Sequence, residues 1–143
     1  MMRKTKTPVT IETTIHAPVE KIWENWTSTD AITQWNSASS EWHTPKAEHE
    51  LQPGGRFVYR MEAKDGSFGF DFSGTFEVIK PNEYLESILD DGRKVKVTFT
   101  GKGNETLVSQ TFEAEETHSI DQQRSGWQNI LDNFKQYVET LHK

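Results

Sequence analysis

The sequence predicts an α+β fold in which a curved antiparallel sheet of six or seven strands wraps one long C-terminal helix. Three observations carry this. Through the middle of the chain, short segments alternate apolar with polar residues between Gly, Asp and Asn turns. That is the pattern of hairpins in series with one wet face. The last two dozen residues instead repeat their apolar side chains at helical spacing. Finally, the chain holds 5 Trp, 8 Phe and 3 Tyr although only 33% of it is apolar. Its core is therefore built from a few large pieces, each burying roughly 150–250 Å².

The elements follow in order. Val9, Ile11, Thr13 and Ile15 alternate with Thr10, Glu12, Thr14 and His16, a half-buried strand. Pro18 suits a first helical position and ends that strand. Val19, Ile22, Trp23 and Trp26 then share one face of a short helix. A second short helix starts at Thr29-Asp30 and carries Ile32 and Trp35. Breakers surround a short piece near Trp42, and Gly54-Gly55 opens a strand with Phe57, Tyr59 and Met61 on one face. Turns at Lys64-Asp65-Gly66, Pro81-Asn82, Asp90-Asp91-Gly92 and Gly101–Gly103 separate the following strands. Of these, Tyr84–Leu89 alternates imperfectly. Val95, Val97 and Phe99 share one face, as do Val108, Gln110 and Phe112. Ser119 and Gln122 fit a capping box. From Ile120 through Trp127, Ile130, Leu131, Phe134, Tyr137 and Val138 to Leu141, one broad helical face must lie on the sheet. This is the helix-grip arrangement.

A length of 143 residues suits one domain, expected over 8–143 behind a loose tail at 1–7. A net charge of −6 argues against a nucleic-acid surface. The lack of cysteine excludes disulfides, thiol catalysis and Cys-type metal sites. No apolar run approaches the roughly 20 residues of a membrane span. The start MMRKTKTPVT is basic with no apolar segment behind it, unlike a secretory signal. The expectation is a cytoplasmic protein, a monomer or weak dimer, with no intrinsic metal, nucleotide or other cofactor.

The stretch GSFGFDFSGTF, residues 66–76, poses the functional question. Phe68, Phe70, Phe72 and Phe76 share one parity with Gly74, so one strand aims four rings one way. A bulge at Gly69 or Gly74 would instead turn Asp71 and Ser73 inward. The rings of Trp35, Phe57, Tyr59, Phe70, Phe72, Phe99, Phe112, Trp127 and Phe134, with Val97 and Ile130, are expected to face the helix and line a cavity. Phe68, near the strand's start, would be a lip. Gln110 and Gln123 fall on the same inward faces and are expected to be polar anchors. A buried amide without a partner costs on the order of 1–3 kcal/mol, so two of them suggest a pair, water or a ligand. Gly126 costs about 1 kcal/mol of helix propensity. Either it makes room or it permits close helix–sheet packing.

Catalytic signals are poor. His43 and His49 flank a loop with Glu48 and Glu50 at no defensible metal spacing. Glu77 reads as a solvated outer residue. Glu86 has ambiguous parity and would be an acid/base candidate if it pointed inward.

Several segments carry a family resemblance. HAPVEKIWENWT at 16–27, LQPGGRFVYRM at 51–61, GTFEVIKPNEYLE at 74–86, DDGRKVKVTF at 90–99 and the ending TFEAEETHSIDQQRSGWQNILDNFKQYVETL at 111–141 resemble the Aha-type branch of the START-like (SRPBCC) superfamily, related to the birch-pollen-allergen fold. The resemblance spans about residues 9–141 and implies the helix-grip fold. Relatives include co-chaperone domains that activate a heat-shock ATPase, ligand-sequestering proteins and polyketide cyclase-like enzymes. True co-chaperones carry a further N-terminal domain. Three functions therefore stay open. The first is binding of a small hydrophobic ligand. The second is acid/base catalysis on a polyketide-like or aromatic molecule, favoured by a carboxylate or imidazole inside the cavity. The third is docking to a chaperone-type partner, favoured by an exposed apolar patch.

Overall fold

The structure, a computed structural model, describes residues 7–141. Most of the expected tail, residues 1–6, lies outside them. Thr7 is described, and its carbonyl accepts from the Ala114 N–H at 2.8 Å.

The first strand, β1 (Pro8–Ile15), buries Val9, Ile11 and Ile15, keeps Thr13 half-buried on the same face and leaves Thr10, Glu12 and Thr14 on the wet side. Helices α1 (Val19–Thr27) and α2 (Thr29–Trp35) follow. Pro18 sits one residue before the first helical position, in extended backbone. The Ser28 hydroxyl accepts from the Ala31 N–H and caps α2. Six strands come next: β2 (Trp42–His49), β3 (Arg56–Ala63), β4 (Gly69–Lys80), β5 (Tyr84–Leu89), β6 (Lys94–Lys102) and β7 (Glu105–Glu113). The chain closes with α3 (Ile120–Leu141). Its start carries the reciprocal capping pair, Gln122 N–H to Ser119 Oγ and Ser119 N–H to Gln122 Oε1.

The seven strands form one antiparallel sheet in the order β1-β7-β6-β5-β4-β3-β2. With two short helices after β1 and a long C-terminal helix gripped by the curled sheet, the fold is α+β helix-grip. Helix α3 lies along the β1 edge. There Arg124 and Gln128 donate to the Thr10 and Glu12 carbonyls at 3.4 and 3.3 Å. Leu131, Phe134 and Val138 on the inner face of α3, and Val108 and Phe112 of β7, are almost wholly removed from water. The opposite edge, β2, contains Pro45 and breaks register between His43 and Lys46.

Strand β4 keeps the expected parity from Phe70 to Phe76. The irregularity falls at neither glycine but at Glu77, where Phe76 faces Ser87 and Val78 faces Glu86. One extra residue in the bulged strand reverses the alternation beyond it. Phe76 and Ile79 thus both turn to the core, while Glu77 stays exposed.

Gly74 is fixed by close approach. A Cβ there would press on the Ile88 carbonyl and come within 2.9 Å of the Phe57 ring and 3.0 Å of Leu89 Cα. Two of these neighbours are backbone and cannot step aside. Gly74→Ala is expected to lower stability by about 1–3 kcal/mol, read as a shifted urea midpoint. An unchanged midpoint would mean that the β4–β5 contact is looser than described.

Candidate functional site

Helix α3 packs on the β1 side of the sheet, and β3 to β5 curl over without reaching it everywhere. The space left is a cavity of about 410 Å³, within the range typical of small-molecule sites. The sheet supplies Phe57, Tyr59 and Met61 from β3, Phe70, Phe72 and Phe76 from β4, Leu85 and Ser87 from β5, Val95 and Val97 from β6 and Gln110 from β7. Trp26, Ile32 and Trp35 close one side, and Gly126, Trp127 and Ile130 of α3 form the roof. A Cβ added at Gly126 would meet nothing within 4 Å. This glycine therefore leaves room and does not serve close packing.

Of the residues expected to line the space, Trp35, Phe57, Tyr59, Phe70, Phe72, Val97, Gln110, Gln123, Trp127 and Ile130 do so. Phe99, Phe112 and Phe134 stand one layer behind. Phe112 lies flat under Trp127, with ring centres 4.2 Å apart and planes 7° apart. Phe134 meets Trp26 and Trp35 edge-on at 4.9 and 4.8 Å, and Phe99 meets Trp23 and Trp26 at 5.5 and 5.8 Å. These three hold the lining rings in place. Phe68 is 61% exposed and touches Trp42 edge-on, outside the cavity.

The two glutamines separate. Gln123 is no free anchor. Its Oε1 accepts from the Glu115 N–H at 2.8 Å, and its Nε2 donates to the Glu115 and His118 carbonyls at 3.0 and 2.9 Å. It clamps the loop between β7 and α3. Gln110 is only 8% exposed and lines the cavity, yet its amide has no hydrogen-bond partner among the described residues. Ser87, 9% exposed, shares that condition.

His49 is a lining residue that sequence reasoning grouped with a loop. It ends β2 opposite Phe57, and its Nδ1 lies 2.8 Å from the Tyr59 hydroxyl. Burial pushes the imidazole's pKa down, with the Thr27 carbonyl pulling weakly the other way. Burial also pushes the Tyr59 phenol well above its usual range. Both shifts favour the uncharged forms, and the phenol and the imidazole share one hydrogen bond. The alternation Ala47, His49, Leu51 before the Gly54-Gly55 turn was the available signal.

At one end of the cavity, Arg93 Nε donates to Asp91 at 2.8 Å and Nη1 to the Glu113 carbonyl at 3.3 Å. Beside it Glu115 accepts from the His118 N–H. Glu86 points to the outer face. It accepts from the Tyr84 hydroxyl, which, with Lys94 adding to the effect, holds its carboxyl below the usual range. No group of three or more His, Asp or Glu among the described residues is placed to hold a metal ion. No described helix is long and apolar enough to cross a membrane.

Comparison with known families and structures gives a consistent likeness. Residues 16–139 match the family described as "Activator of Hsp90 ATPase homolog 1-like protein". The solution structure of an AHSA1-like protein from Aeromonas hydrophila is 46% identical, covers 95% of this chain and 94% of its own, and superposes with a TM-score of 0.89. A solution structure from Cytophaga hutchinsonii is 44% identical over 93% and 92% of the two chains, with a TM-score of 0.80. A crystal structure from Chromobacterium violaceum shares the fold at 18% identity, TM-score 0.84, over 93% and 98%. No curated protein matches the chain.

Two outcomes are expected of these side chains. Gln123→Leu leaves the Glu115 N–H and two loop carbonyls without partners and costs about 2 kcal/mol, whereas Gln110→Leu removes an unpartnered amide and is neutral or stabilising. Paired urea melts check this, and equal losses would contradict the division of roles. The second outcome concerns pH. The folded state disfavours the His49 imidazolium, so the unfolded chain takes up the proton first as pH falls through about 6.5. The stability His49 contributes is full above that pH and declines below it. Thermal melts between pH 7.5 and 5.5 should fall for the native chain and fall less for His49→Gln.

Proposed function

The chain belongs to the family of activator of Hsp90 ATPase homolog 1-like proteins, and from that premise we propose that it binds an apolar or aromatic small molecule in the cavity under α3. The observation that carries this reading is the cavity volume of about 410 Å³ that the protein's own side chains leave unfilled. Stiff rings surround it, a second layer of rings braces them, and the roof helix carries a glycine where a side chain would fit. A core free to collapse would gain dispersion contacts throughout that volume. A frame of braced aromatics keeps it open.

Catalysis is the weaker reading for a chemical reason. Two imidazoles and one carboxylate line the cavity, and all three are engaged: His49 Nδ1 is taken by Tyr59 and its other side faces the Thr27 carbonyl, while Glu115 holds the His118 N–H and ring. A general base needs a free nitrogen at the reacting proton. Docking to a chaperone-type partner draws support from one specific feature, the exposed rings of Phe68 and Phe70 beside Trp42. Under either binding reading the protein works in the cytoplasm as a monomer or weak dimer, in keeping with a chain that has no cysteine.

Titration with the uncharged fluorophore N-phenyl-1-naphthylamine tests the proposal. One saturable site is expected, and Gly126→Phe, which fills the roof, should weaken it at least tenfold with the melting curve retained. Unsaturable binding, or binding indifferent to Gly126→Phe, would sink the proposal. Native mass spectrometry of protein from its own host would then name the natural occupant.

A further inference from the structure

The polar side chains of the cavity lining divide into two sets. Indoles apart, Thr27, Trp35's neighbour Asn36, His49, Tyr59, Arg93, Glu115, His118 and Gln123 all have protein partners. Gln110 and Ser87 have none among the described residues, although each is more than nine-tenths buried. Neither has an atom both sealed from the cavity space and unbonded, so their polar ends open into that space. We propose that Gln110 and Ser87 are the specificity-determining pair of this site, and that its ligand is an uncharged, ring-bearing molecule with two hydrogen-bonding groups set apart from one another.

The spacing comes from the sheet. Gln110 on β7 pairs with Val97 on β6, and Ser87 on β5 pairs with Val95 on the same strand. Two strand spacings across and one residue pair along place the two Cα atoms roughly 12 Å apart on a flat sheet. A molecule touching both must bridge the apolar floor of Val95, Val97 and Leu85, and a pair of fused rings suits that floor. The absence of charge follows from what surrounds the two groups. An amide and a hydroxyl each donate and accept but carry no charge. The one cation in the lining, Arg93, already serves Asp91 and the Glu113 carbonyl, with Glu115 beside it. An anion entering the site would meet no spare positive charge and would lose its hydration. Gln110 reads either an acceptor or a donor, and the Ser87 hydroxyl does the same, so phenols, alcohols, ketones and amides fit where carboxylates do not.

This inference rests on the cavity being a binding site, so its test separates the two. Calorimetric titrations at pH 7 use naphthalene, 2,6-dihydroxynaphthalene and naphthalene-2,6-dicarboxylate. The diol is expected to bind roughly tenfold or more tighter than naphthalene, and the dicarboxylate more weakly than either. Gln110→Leu and Ser87→Ala should each weaken the diol by roughly three- to tenfold and leave naphthalene unchanged. Gln110→Met replaces Gln110→Leu if that variant fails to fold, and a thermal melt of every variant confirms its integrity. A diol no better than naphthalene, or unaffected by the variants, overturns the specificity pair while leaving the cavity reading standing. A dicarboxylate that binds tightest overturns the inference on charge. Failure of naphthalene and the diol alike to bind overturns both readings.

Discussion

A single helix is too narrow for the sheet it must cover. Seven strands at about 4.8 Å spacing make a face roughly 29 Å wide, and a helix with its side chains is about 10 Å across. An apolar face that wide cannot be left to water. The chain resolves this by seating α3 on the β1 edge, laying α1 and α2 nearby, and curling β3 to β5 back toward the helix. Aromatic side chains are the reach of that curl. Phe72 meets Trp127 edge-on at 5.9 Å across the gap, while Phe57 packs against Tyr59, Phe72 and Phe76 behind it. The cavity is what remains between a side chain's length and the distance to be spanned.

Polar groups inside such a space fall under a strict accounting, because an amide removed from water needs a partner. Gln123 finds three in the loop next to it, and His49 finds Tyr59. These bonds tie the cavity's rim, joining the loop before α3 to the helix and β2 to β3. Gln110 and Ser87 stand on interior strands of the sheet, β7 and β5, where the neighbouring backbone groups are spent on the ladder. The same residue type thus serves structure at one end of the site and stays available in the middle.

The fold was legible because its signals are local: alternation, turn glycines and the helical run each stand within a dozen residues. Parity within β4 was legible for the same reason, and it put Phe70, Phe72 and Phe76 on the right face. The bulge was not. Gly69 and Gly74 are the residues that usually mark one, but Gly74 is spent on close approach to Ile88, and the extra residue is Glu77, whose side chain gives no sign of it. Sequence parity also cannot tell a lining ring from one a layer deeper. Phe112 and Gln110 share a face, yet Phe112 lies under Trp127 because of where α3 crosses. His49 was weighed only for metal spacing because its place in the cavity depends on pairing with β3, a contact that the break between His43 and Lys46 hides.

The treatment of the two sheet edges has a consequence for how the molecule meets copies of itself. An open edge strand presents a row of free amides and carbonyls on which another chain can build. At β1, side chains of α3 occupy the carbonyls of Thr10 and Glu12. At β2, Pro45 supplies no N–H, the register breaks beside it, and the charged pair Lys46–Glu48 stands on the exposed side. Growth by strand addition is obstructed on both flanks. A sheet this broad and rich in phenylalanine would otherwise be a template for fibrils. Its protection against that fate lies in a few side chains at its margins and owes nothing to its core.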